Sequence, residues 1–251
     1  MSKLCKVKLK AFKIKFESIF RNVICNIIIF ALIAILSVNI SFNKNNEIIT
    51  VSNSEFNGTI YAGDKNSNKV SLMINVYWGT EYVEKMISIF EKYNVKTPFF
   101  VGGTWAKENP DVLKKLYNQG HEIGSHGYSH KDHSKLDYNK NYEEINKCHK
   151  IVKATLDIDM NLFAPPSGYY NSNTIKSAKQ LGYKTIMWTR DTIDWRDKNA
   201  ELIFNRAVTN MQGGDLILMH PTEYTVIALE KIINYTINHS LEISTVSSVI
   251  C

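Results

Sequence analysis

Residues 109–130 read NPDVLKKLYNQGHEIGSHGYSH and contain one complete helix–strand–loop unit. Asn109 and Pro110 open it as a cap followed by proline in the first turn, and Gly120 closes the helix. His121–Ser125 follows as a short strand. The polar loop after it, His126-Gly-Tyr-Ser-His130, carries two imidazoles four residues apart.

The same alternation runs outward in both directions. Upstream, Val70–Val76 predicts a strand, Glu81–Tyr93 a helix with Thr80 in the cap position, and Thr97–Val101 a strand. Downstream, helices are expected near Tyr142–Leu156, Thr174–Leu181, Ala200–Met211 and Val226–Asn238. Strands are expected between and after them, near Leu162, at Tyr183–Trp188, Leu216–Met219 and Ile243–Val246. About seven β–α units define an α/β protein whose mostly parallel sheet can close into a barrel. In such folds chemistry gathers where strands end and loops begin.

The flanking segments read differently. Of the formal charge of +6, all is carried by residues 1–22, which hold seven cations and one acid. The rest of the chain is neutral overall, which argues against nucleic acid as a partner. Residues 23–42 form an apolar run, and twenty residues at about 1.5 Å each span about 30 Å, one hydrocarbon thickness. Cations on its N-terminal side would keep residues 1–22 in the cytoplasm and export the remainder, whether the run is a transmembrane anchor or a cleaved signal sequence. Residues 43–67 are rich in Asn, Ser and Gly and read as a polar stalk, leaving 68–251 as the folded domain. The four cysteines (Cys5, Cys25, Cys148, Cys251) show no metal-site spacing, and a Cys148–Cys251 disulfide is left open.

Four loops could carry chemistry. His126 and His130 could converge on one metal ion, or be two surface histidines beside Lys131, Asp132 and His133. His220, at the end of the Leu216–Met219 strand, is placed for acid–base work, or is a core histidine satisfied by a carbonyl. Asp191 and Asp194-Trp195 follow another strand; a carboxylate there could orient an imidazole while the indole closes a pocket. Phe163-Ala-Pro-Pro-Ser-Gly168 is a stiff irregular loop whose N–H groups could face a site, or only a rigid turn.

Taken in chain order, five blocks resemble the NodB-homology polysaccharide deacetylases, carbohydrate esterase family four. They are Met73-Ile-Asn-Val-Tyr-Trp-Gly79, the His126/His130 pair, Ala164-Pro-Pro-Ser-Gly168, Asp194-Trp195 and Leu218-Met-His220. Their wording is most similar to the subgroup associated with sporulation. The resemblance implies a deformed (β/α) barrel holding zinc or another divalent metal through one aspartate and two histidines, and a cell-wall glycan such as peptidoglycan or an N-acetylglucosamine polymer as partner. By that likeness His126 and His130 match metal ligands, His220 the general acid and Asp194 the carboxylate that tunes it. Trp195 and Leu218 match walls of the acetyl pocket, and the Ser167 N–H an oxyanion donor.

The departures are as informative. The family's adjacent base and metal aspartates are read here at Asn75 and Val76, and its base-orienting arginine at Ala164. An amide takes up no proton at neutral pH, and an isopropyl group binds no metal. Three functions are therefore weighed: a deacetylase using a substitute carboxylate, with Asp191 first and Asp132 second; an inactive protein that keeps the groove to bind glycan; or a purely structural partner in a membrane complex, which would make no use of the histidines. For the second, Tyr77, Trp78, Tyr82, Tyr169 and Tyr170 are the aromatics able to stack on sugars.

Overall fold

Eight residues, Lys69–Val76, alternate little in polarity, as expected of a strand covered on both faces; every one from Val70 to Val76 is buried. This strand, β3, lies at the middle of a curled parallel sheet within a computed structural model that describes residues 55–56 and 58–251. The basic tail, the apolar run at 23–42 and most of the stalk lie outside the described residues. Among the described residues no helix is long and apolar enough to cross a membrane.

The other strands are β1 (Glu55–Phe56), β2 (Thr59–Ile60), β4 (Pro98–Val101), β5 (Glu122–Ser125), β6 (Leu162–Phe163), β7 (Lys184–Ile186), β8 (Arg190–Asp191), β9 (Leu216–Met219) and β10 (Glu242–Ile243). They pair in the order β1-β2-β7-β6-β5-β4-β3-β9-β8, with β10 also on β3, and only β1–β2 is antiparallel. Strands β7 and β8 are consecutive in the chain yet far apart in that order, so residues 187–189 bring the two ends of the path together. The sheet therefore curls into a (β/α) half-barrel.

Helices α1 (Glu81–Lys92), α2 (Gly103–Glu108), α3 (Pro110–Asn118), α4 (Tyr138–Leu156), α5 (Ser172–Gln180), α6 (Ala200–Val208), α7 (Glu223–Asn238) and α8 (Val246–Val249) cover the sheet. Their apolar stripes bury Phe90, Trp105, Leu113, Ile145 and Ile232 against β3–β5 and their neighbours, each burial contributing about 1.5–3 kcal/mol. Helix α2, unforeseen in the sequence, is a short turn that seats Trp105 in this core.

Several boundaries differ from the sequence reading, each for a local reason. Asp137, Asn171 and Thr222 accept hydrogen bonds from the N–H groups of Lys140, Thr174 and Thr225, so α4, α5 and α7 begin two to four residues earlier than expected. The last strand stops at Ile243 because Thr245 caps α8. The domain also starts before residue 68: Thr59 and Ile60 pair with Thr185 and Ile186, and the Gly63 N–H bonds the Gly214 carbonyl at 2.8 Å. Gly213 has to be glycine there, since a Cβ would lie 1.7 Å from the Ser67 carbonyl oxygen. A polar composition hid these residues because their contribution is made by backbone. Cys148 is buried and Cys251 exposed, both as free thiols, so the pairing left open does not form.

Candidate active site

The C-terminal ends of β3, β5, β8 and β9 surround a cavity of about 290 Å³. Of the eight residues matched to site roles, counting Asn75 at the base position, seven line it: Asn75, His126, His130, Ser167, Trp195, Leu218 and His220. The eighth, Asp194, stands behind His220. Tyr77, Trp78, Tyr169, Trp188 and Asp191 complete the wall. A second cavity of about 390 Å³ shares Trp78 and Trp195 with the first and adds Tyr82.

His220 follows β9 directly and is held by a buried carboxylate. Asp194 accepts from His220 Nδ1 at 2.7 Å, from the His220 N–H at 2.6 Å and from Thr225 Oγ1 at 2.6 Å. Because a carboxylate only accepts, Nδ1 carries the proton and Nε2 of the neutral ring is the basic nitrogen. This is the geometry of an oriented general acid or base.

The other two imidazoles lie on the loop after β5. His126 is 1% exposed, and its Nδ1 donates to the Ala164 carbonyl at 2.7 Å. Burial first, then the neighbouring His130 ring, holds its pKa well below the usual histidine value. His130 sits in the left-handed region at φ 53°, which turns it back so that the two ring centroids are 5.1 Å apart. Burial likewise lowers its pKa, with the charge of His220 adding to the effect. Glu144 of α4 secures this loop by accepting the Tyr128 and Ser129 N–H groups and the Ser129 hydroxyl, and pairs with Lys131 at 3.0 Å.

The first block supplies no carboxylate to this cavity. Asn75 and Val76 do not stand side by side at the cavity. Asn75 lines it, but Val76 is fully buried in the apolar core under the helices. The adjacent pair whose members both line the cavity is Tyr77–Trp78. Pleating explains this: neighbours within a strand face opposite sides, and only past the end of β3 can two consecutive side chains turn the same way. The Tyr77 ring lies 4.6 Å from that of His130, and Trp78 is 56% exposed.

A metal centre of one aspartate and two histidines therefore does not fit the residues present. Among the described residues no three His, Cys, Asp or Glu side chains gather into a set able to hold a metal ion. Asp191 shares the cavity but completes no such set, and its Oδ1 accepts the Ile193 N–H at 2.8 Å. Asp132 is used elsewhere, capping the turn at Ser134 and pairing with Lys135. Ala164 is buried and offers no group to orient a base.

Two aromatics were placed differently by sequence. Tyr170 does not reach the cavity; its hydroxyl bonds that of Tyr61 at 2.8 Å. Trp188 was not singled out, although an aromatic at the end of a predicted strand was the available signal. Gly168, at φ 70°, admits it: a Cβ there would lie 2.7 Å from the Trp188 ring.

Comparison with known proteins agrees with this architecture. Residues 62–186 match the polysaccharide deacetylase family. The uncharacterised protein YlxY of Bacillus subtilis is 38% identical over 188 residues, 75% of this chain and 59% of YlxY, so the chain spans less than two thirds of that relative. A peptidoglycan-N-acetylglucosamine deacetylase of Bacillus cereus is 32% identical over 158 residues, 61% of this chain and 74% of that protein. The crystal structure of BA3943 from Bacillus anthracis, described as a CE4 family pseudoenzyme, superposes with a TM-score of 0.74 at 32% identity, over 79% of this chain and 69% of that one. Fold, motif order and these likenesses agree, and the chain belongs to the polysaccharide deacetylases of carbohydrate esterase family four.

Proposed function

We propose that this chain binds a cell-wall glycan of the peptidoglycan or N-acetylglucosamine type through the cavity, without the hydrolytic turnover of the family's deacetylases. One observation carries the reading: beside the paired imidazoles the first block supplies an amide, Asn75, and a buried apolar side chain, Val76, at the two positions where the resemblance implies carboxylates. Loss of a general base alone costs about 10²–10⁴-fold in rate. The exposed Trp78, Tyr169 and Trp195 supply the flat apolar faces that sugar rings stack on. The likeness to a protein described as a pseudoenzyme supports the same reading.

The residual acid half favours a second reading. Asp194 and His220 keep the geometry of a proton donor, and Asp191 is a carboxylate in the same cavity, so a rearranged deacetylase is the alternative. Acetate release from N-acetylglucosamine oligomers, with and without zinc, separates the two. The binding reading expects none, together with calorimetric binding insensitive to chelator; release abolished by His220→Ala would establish the alternative. Export and membrane attachment through residues 23–42, and a role in sporulation, belong to the same proposal. Protease accessibility on intact protoplasts and the timing of expression test them.

A further inference from the structure

The cavity has a charge pattern that glycan binding alone leaves unused. Among the described residues Asp191 is the one carboxylate in its lining, and no lysine or arginine lines it. Among the described residues no salt bridge engages Asp191: the flanking Arg190 binds Asp215 at 2.7 Å, and Arg196 binds Asp197 at 2.8 Å and reaches Asp191 only through its longer-range charge. Five aromatic side chains line the same cavity, three of them (Trp78, Tyr169, Trp195) more than half exposed. A carboxylate within aromatic walls attracts a cation in two ways, through its charge and through the negative faces of the rings. Asn75 adds an acceptor: it is 3% exposed, and its amide oxygen has no hydrogen-bond donor.

We propose that the cavity recognises the protonated amino group of a deacetylated amino sugar in preference to the N-acetylated form. This rests on the glycan-binding reading and narrows it. An acetamido group offers Asp191 one N–H and no charge; an ammonium offers three N–H donors and a full positive charge. The chain would then bind the kind of glycan that removal of acetyl groups leaves behind, and so act downstream of a deacetylation.

Calorimetry on the full chain in detergent, at neutral pH and low salt, tests this with two probes, glucosamine tetramer and N-acetylglucosamine tetramer. The amine is expected to bind at least about 10-fold more tightly. Asp191→Asn, which keeps an acceptor for the Ile193 N–H, should bring the two ligands to within about 2-fold of each other. Trp195→Leu, at an exposed position, should weaken amine binding about 5-fold. Equal or tighter binding of the acetylated tetramer overturns the amine preference and leaves glycan binding standing. An amine preference that survives Asp191→Asn also overturns the assignment, and failure of both tetramers to bind overturns the glycan reading itself.

Discussion

The two sides of the cavity differ in how completely their polar groups are connected. On one side Asp194 receives three short hydrogen bonds, two from His220 and one from Thr225, and is sealed beneath them. On the other, His126 and His130 are just as carefully placed, yet they meet aromatic rings and an amide instead of a carboxylate. The acid side is also structural: removing Asp194 would leave buried donors unsatisfied. Asn75, the amide on the other side, lines the cavity and leaves its Oδ1 without a hydrogen-bond donor among the described residues.

The largest expected effect tests which residues of the first block face which way. Val76→Asp should destabilise the domain by about 4–5 kcal/mol in urea unfolding, because it buries an unpaired charge among apolar side chains. The double variant Tyr77→Asp/Trp78→Asp should fold and gain zinc affinity by at least about 100-fold, measured by metal titration. Zinc binding by a folded Val76→Asp protein, and none by the double variant, would reverse the register argued above.

Next in size, Asp194→Ala should lower stability by about 3 kcal/mol by orphaning the His220 and Thr225 donors. An unchanged urea midpoint would mean that the acid side is not structural after all.

A comparison along one strand sharpens the point. His121 precedes β5 as His126 follows it, but His121 packs against Phe90 and Phe99 and accepts the Thr97 N–H. Burial pulls its pKa from 6.5 to about 4. The unfolded chain therefore binds a proton between those values that the folded chain does not, and stability falls as pH drops from about 6.5 to about 4, by about 2–3 kcal/mol. His121→Asn should flatten that part of a stability–pH curve, and a curve parallel to wild type would exclude His121 as its source.

The smallest effect is at the aromatic wall. Gly168→Ala should cost about 1–2 kcal/mol, from the left-handed backbone and the contact with Trp188. Quenching of tryptophan fluorescence by glycan should change with it if Trp188 is displaced.

Most of this architecture is local in origin and was legible without coordinates. Alternating apolar runs and amphipathic segments, Pro110 in a first helical turn and Gly120 after a helix end place strands and helices in order, because each depends on neighbours within a few residues. That order puts His126, Ser167, Asp194 and His220 at strand ends, which is why those residues could be named. What lay beyond reach depends on contacts between distant segments. Thr59–Ile60 joins the sheet through β7, Trp188 enters against Gly168, and the facing of Val76 against Tyr77 and Trp78 is set where β3 leaves its partners. Sequence alone determined the fold class and most of the candidate residues. Tertiary structure decided which adjacent side chains turn inward, because that choice is made by the pleat and packing of the whole sheet rather than by the identity of any one residue.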